Sequence, residues 1–165
     1  MASIRDLKGT LVLDSSHSSI AFIARHAMVT KVRGTFGSYT GEATVDGSNA
    51  SASNLSVTID VASVNTNSPD RDGHLKSGDF FDVAQFPTIT FVGTGFDVTD
   101  DSNVDVTGDL TIKGVTRSIT IPFEYTGSAK DPFGNERAGF EGRVDVSRKD
   151  FGLTWNAALE TGGVL

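Results

Sequence analysis

The sequence predicts an all-β fold of eight or nine short antiparallel strands joined by hairpins, with little helix. Three observations carry this. Val and Ile total 24 against 11 for Leu and Met together, and there are 18 Thr. Such β-branched side chains suit a pleated sheet and lose rotamer freedom in a helix. Short runs alternate apolar and polar residues with period 2 along most of the chain. Eighteen Gly and only 4 Pro supply turns without a proline-rich linker. A closed barrel and a sandwich both satisfy this pattern.

The elements follow in order. Ile20, Phe22 and Ala24 face one way and Ala21 and Ile23 the other. Both faces are apolar, so a strand covered on both sides is expected. The run HAMV at 26–29 has the look of a single helical turn. Residues 31–46 read as one or two strands bent at Gly34, Gly37 and Gly41. Leu55, Val57, Ile59 and Val61 alternate with Ser56, Thr58, Asp60 and Ala62, a half-buried strand.

Residues 65–87 break the rhythm. Ser68, Pro69 and Asp70 form a helix start, with N-cap, proline at the first position and an acid in the first turn. Leu75 and Phe81 would anchor a short helix, which Gly73 and Gly78 weaken; the insert is placed near 68–81. A further strand covers 87–98. Val104, Val106, Leu110 and Ile112 form a face bent at Gly108, and Ile119, Ile121, Phe123 and Tyr125 form the next. The turn KGVTR at 113–117 makes these two a hairpin. After DPFGN at 131–135, Ala138, Phe140, Gly142, Val144 and Val146 share a face. GLTWNAAL, from Gly152, is read as the last strand.

Composition excludes several classes. At 165 residues and no cysteine, the chain reads as one domain, 1–165, without disulfides, thiolate zinc or a cysteine nucleophile. A net charge of −7 opposes nucleic-acid binding, which requires Lys and Arg against phosphates. No run reaches the ~18 apolar residues of a membrane span, so stable membrane insertion is not expected. The start MASIRDLKGTLVLD lacks the apolar stretch of a secretory leader, which points to the cytoplasm. A chain already trimmed of its leader would read the same.

Three stretches carry a family resemblance. They are LDSSHSSIAFIARHAMVTKVRGTFGSYTGEATVD, NTNSPDRDGHLKSGDFFDVAQFPTITF, and GDLTIKGVTRSITIPFEY followed by FEGRVDVSRKDFGLTW. In that order and spacing, from about Thr10 to Trp155, the chain resembles the YceI family of polyisoprenoid-binding, lipocalin-like proteins. HLKSGDFFDVAQFPTITF is the most specific block. The resemblance implies an eight-stranded antiparallel barrel whose apolar tunnel holds a long-chain amphiphile, a polyisoprenoid or quinone-like lipid, with no other cofactor. It implies a carrier or binding protein rather than an enzyme. Some members are periplasmic with leaders; this sequence shows no leader.

The residues divide accordingly. Nine phenylalanines lie in or beside strands and the insert: Phe22, Phe36, Phe80, Phe81, Phe86, Phe91, Phe96, Phe123 and Phe140. Periodicity alone leaves open whether they fill a core or line a cavity. Given the resemblance, Phe22, Phe36, Phe81, Phe91, Phe123, Phe140 and Trp155 are the candidate walls. His26, Asp72 and His74 are candidate contacts for a polar headgroup. Each has a plainer reading, His26 as a strand-end residue and Asp72 and His74 as part of a solvated helix face. His17 and His26, nine apart, match no metal signature. Lys31, Arg25, Arg33, Lys113 and Arg117 would matter only for a diphosphate headgroup.

A magnitude frames the mechanism. At about 0.8 kcal/mol per buried CH₂, a chain of ~40 carbons nominally exceeds the affinity ceiling near 20 kcal/mol. The real competitor for such a ligand is the membrane. Transfer then depends on the headgroup and on opening of the mouth, with the segment around His74 as gate. Two other classes stay open: an enzyme acting on an isoprenoid or other lipid-like substrate with His74, Asp72 or His26 as acid–base groups, and a metal- or haem-linked module. A homodimer through long edge strands at the barrel seam is also open.

Overall fold

The computed structural model describes residues 3–26 and 30–155, with the side chains of residues 25, 26 and 30 outside that description. Ten strands form two sheets. The larger has seven: β1 (Lys8–Val12), β4 (Tyr39–Asp46), β5 (Asn54–Asp60), β7 (Thr88–Val98), β8 (Asn103–Ile112), β9 (Val115–Lys130) and β10 (Glu136–Gly142), hydrogen-bonded in that order. Every neighbouring pair is antiparallel. The smaller sheet joins β2 (Ile20–His26), β3 (Thr30–Phe36) and the two-residue β6 (Val64–Asn65). Together they make a nearly closed barrel of the lipocalin type with one short helix, α1 (Pro69–Lys76).

Eight strands stand where the alternating runs place them. The 31–46 stretch divides into β3 and β4 at Gly37 and Ser38. The KGVTR turn is a two-residue hairpin in which Lys113 and Gly114 both take positive φ, 51° and 74°. That is the geometry of a primed turn, whose twist matches its strands. Ser68 caps α1 as expected, its hydroxyl accepting from the Arg71 N–H at 3.4 Å, with Pro69 at the first position.

Four expectations are corrected or bounded. The expected eight-strand count becomes ten, because β1 and β6 are too short to show a period. β2 is covered on one face only: Phe22 is half-buried, but Ile23 is 44% exposed, since the small sheet turns its back to solvent. The strand expected to run through Val146 ends at Gly142, and Val144 and Val146 stand exposed. Residues 152–155 form a turn and irregular chain rather than strand; the remainder of that expected strand, and the turn expected at 26–29 beyond His26, lie outside the described residues.

The core has two parts. Phe36, Ile59, Val61, Val64 and Ile89 pack with Phe22, Leu75, Phe81 and Ile112 where α1 meets the sheet. Ile4, Phe91, Val104, Val106 and Tyr125 pack with Phe96, Phe123 and Phe140 toward the β7–β8 turn. Val57 and Leu110 touch both. The second end is stoppered by a 3₁₀ turn, Ile4–Asp6. Its Ile4 N–H donates to the Asp101 carbonyl at 2.8 Å, and Arg5 bonds the Asp101 carboxylate at 2.6 Å. Among the described residues no helix is long and apolar enough to cross a membrane.

Candidate functional site

The inward-facing rows define the site. Along β5, β8, β9 and β10, Leu55, Val57, Leu110, Ile112, Ile119, Ile121, Phe123 and Phe140 point to the core clusters yet remain only half-buried. A barrel filled by its own side chains would close over such residues. Here these half-buried aliphatic and aromatic side chains interleave with the fully buried members of both clusters.

The candidate walls fall into three groups. Phe22, Phe36 and Phe81 stack in series at the α1 end, with ring centroids 5.5 and 6.2 Å apart. Phe91, Phe123 and Phe140 belong to the other cluster, Phe140 lying 5.3 Å from the Tyr125 ring. Trp155 stands apart from both, on the helical insert. Its ring meets His74 at 4.5 Å and Phe80 at 5.4 Å, both edge-on.

Three of these phenylalanines are held by glycines. Phe22 pairs across the strands with Gly34, and Phe123 with Gly142. In each case a Cβ on the glycine would run into the ring, and the same holds for Gly108 beneath Phe91. The ring lies over its bare neighbour, which shields that backbone and sets the side chain's direction.

The headgroup candidates separate. Asp72 faces inward along its own helix turn: its carboxylate accepts from the N–H and the hydroxyl of buried Thr66, at 2.9 and 2.6 Å. Arg71 donates to the same hydroxyl at 2.8 Å and to the Thr66 carbonyl at 2.7 Å. Asp72 is therefore engaged in fastening α1 to the chain after β6. His74 is half-exposed, bonds Asp79 at 2.9 Å and packs on Phe80 and Trp155. His26 ends β2, and its side chain lies outside the described residues. Of the cations, Lys113 donates to the Gly78 carbonyl and Arg117 to the Asp150 carbonyl. Among the described residues no three His, Asp or Glu side chains converge as a metal site would require.

Asp79 and a charged clasp carry no signal in the sequence, and Phe80 stands there only as one of nine phenylalanines. Asp79 and Phe80 sit in irregular chain after α1, where no period marks a face. The clasp joins Arg137 on β10 to Asp14, which follows β1, and to Asp131 at 3.0 Å. Arg137, the His17 ring and the Ser16 N–H hold the Asp14 carboxyl at about 2, below the usual 3.8. Asp131 is also lowered, mainly by the Asn135 N–H, and Arg137 is raised by its two carboxylates, Asp14 foremost. Opposite charges 123 positions apart carry no sequence signal of their contact.

Two open clefts mark the outside. One, of about 290 Å³, is lined by Arg117, Ser118, Asp145, Ser147 and Asp150 and reaches in to Ile119 and buried Phe151. The second, of about 330 Å³, lies between β1 and the β9–β10 hairpin. Neither is lined by any of the ten candidate residues.

An antiparallel barrel of lipocalin type, with half-buried apolar rows on its inner face and a helical insert at one end, is the class these features define. Within it, the chain belongs to the YceI-like domain family, whose model matches residues 11–164. A UPF0312 protein of Ectopseudomonas mendocina is 41% identical over 138 residues, 84% of this chain and 72% of its own length. One from Pseudomonas paraeruginosa is 42% identical over 140 residues, 85% and 73% of the two chains. The crystal structure of a Campylobacter jejuni YCEI protein superposes with a TM-score of 0.69 at 35% identity, over 85% of this chain and 82% of that one. A polyisoprenoid binding domain from Saccharophagus degradans matches with a TM-score of 0.54 at 19% identity, over 74% and 77%, a likeness of fold alone.

Proposed function

We propose that the protein is a non-enzymatic binding or carrier protein that holds a long-chain isoprenoid or similar amphiphile against the inward-facing rows of the barrel. The supporting observation is that inward-facing Leu55, Val57, Leu110, Ile121, Phe123 and Phe140 stay half-buried beside the fully buried members of both core clusters. Apolar surface of this kind gains about 25 cal/mol per Å² when a hydrocarbon covers it. Membership of the YceI-like family and the shared fold of the Saccharophagus polyisoprenoid binding domain agree with this reading. Asp72 is taken up by Thr66, which speaks against an acid–base role for it.

The insert is the natural gate. His74, Phe80 and Trp155 tie α1 to the chain after Phe151 by edge-on ring contacts rather than by burial. Contacts of that kind contribute only about 0.5–1.5 kcal/mol each, so the join between α1 and the chain after Phe151 is the part that opens, while Asp72 and Arg71 stay fastened to Thr66. The test is extraction from vesicles. Mixed with phosphatidylcholine vesicles carrying a radiolabelled long-chain isoprenol, the protein is expected to remove label into the soluble fraction at up to one molecule per chain. Label that stays with the vesicles at all protein concentrations would refute the carrier reading.

A further inference from the structure

The barrel's two ends are closed by different means. At the insert, the chain after Phe151 is joined to α1 by the ring contacts of His74, Phe80 and Trp155. At the other end, the turn Ile4–Asp6 is bonded to two separate loops of the seven-stranded sheet, the β7–β8 turn and the turn after β4. The Ile4 N–H donates to the Asp101 carbonyl, and Ser3 and Arg5 both donate to the Asp101 carboxylate, at 2.9 and 2.6 Å. The Gly47 N–H donates to the Leu7 carbonyl at 2.8 Å, and a Cβ at Gly47 would strike the Ile4 carbonyl. The Ser3 hydroxyl and the Asp6 carboxylate close a capping box on the turn itself. A turn held from two sides by hydrogen bonds and an ion pair stays in place while the ring contacts part.

What this turn presents to the interior is hydrocarbon. Ile4 is buried and packs with Phe91, Val104, Val106 and Tyr125. The half-buried Leu55, Ile121, Phe123 and Phe140 belong to the same cluster, so the proposed lining runs up to Ile4 without a break. Among these side chains the single hydroxyl, on Tyr125, is bonded to Ser128. The cluster offers a hydrocarbon tail a surface and offers a polar group no partner, and an unpartnered polar group is costly to bury.

We infer that Ile4 is the floor of the binding site: it sets the longest tail the barrel admits and requires the far end of the ligand to be bare hydrocarbon. The inference rests on the carrier reading above. It fixes the ligand's direction, tail toward Ile4 and polar end toward His74 and Trp155. Each carbon laid on the inward-facing rows adds to affinity. The first carbon that reaches Ile4 meets a packed and fastened side chain, and the trend reverses.

The test is competition by length. Phosphatidylcholine vesicles carry an equimolar ladder of prenols that differ by single isoprene units, and those taken up by the intact protein are identified by mass spectrometry. Uptake is expected to climb with length and then to fall about tenfold within one further unit. In Ile4→Ala, which opens room at the floor, the maximum should move up by about one unit. Asp101 is exposed, so Asp101→Ala spares the core while untying Ser3 and Arg5, and the fall should become shallower. A prenol of fitting length with a hydroxyl added at its far carbon should bind at least about tenfold more weakly. Should Ile4→Ala not fold, as urea titration would show, Asp101→Ala and the hydroxylated prenol decide. A maximum unmoved in folded Ile4→Ala, a fall unchanged in Asp101→Ala, or equal uptake of the hydroxylated prenol would each overturn the inference. Uptake that rises through the longest prenol would overturn it and leave the carrier reading standing. No uptake of any prenol would refute both.

Discussion

Three phenylalanines that the sequence offers as cavity walls are also load on glycine. Phe22 over Gly34, Phe91 over Gly108 and Phe123 over Gly142 fix where the rings point, and so where the interior surface lies. Gly34→Ala is expected to cost about 1–3 kcal/mol in denaturant unfolding, the usual range for overpacking. In a Phe22→Ala background the same change should cost much less, because the clash is with that ring. An equal cost in both backgrounds would place the effect in the backbone instead. Asp14 makes a second prediction. Its carboxyl is lowered to about 2 by Arg137, His17 and Ser16. A depressed folded pKa contributes stability that is present above the unfolded value of 3.8 and is lost as pH falls toward 2. Asp14→Asn should therefore lower the melting temperature slightly at pH 7 and flatten its fall between about pH 4 and 2. An unchanged acid limb would mean the clasp is idle in solution. Neither the ring-on-glycine pairs nor the clasp was legible in the sequence, since each depends on strand register or on partners 123 positions apart.

At the scale of elements, local chemistry predicts well where it is dense. Period-2 runs locate β5, β7, β8 and β9, and the Ser68-Pro69 start locates α1. It fails where an element is short or depends on a neighbour. β6 has two residues, and β1 has five with one apolar pair at its end. The alternation of Val144 and Val146 is strand-like, but alternation does not make a strand without a partner to bond. The helical insert shows the same lesson for the site. Asp72 looked like a solvated or headgroup-facing acid, yet it anchors α1 by two bonds to Thr66. Thr66→Val should cost about 1–3 kcal/mol, because it leaves the half-buried Asp72 carboxylate short of a partner. Ser68→Ala, which loses only the 3.4 Å cap bond, should cost about 1 kcal/mol or less. The reverse order in urea titrations would contradict the fastening role. Trp155 is the chain's single tryptophan, so its fluorescence reports on the insert directly. His74→Ala should change that emission, and ligand loading should change it in the unmodified protein.

For the whole molecule, the sequence showed the class of fold and the resemblance showed the family. Whether the phenylalanines fill or line the barrel was not legible, because inward-facing residues have the same period in both cases. The observation behind the proposed lining is three-dimensional: rows that face inward and remain half-buried beside the buried members of the two core clusters. With 21 acidic and 14 basic residues, the outside would keep such an apolar load dispersed in water. A bound hydrocarbon should also raise the melting temperature by mass action, in proportion to the logarithm of its excess over Kd. Occupancy of the interior is what separates a carrier from a filled barrel. Native mass spectrometry of the protein, taken through mild purification and then loaded with a long-chain isoprenol, measures it directly. One added mass per chain is expected, surviving gentle desolvation and removed by organic extraction. Only the bare chain mass, both before and after loading, would contradict it.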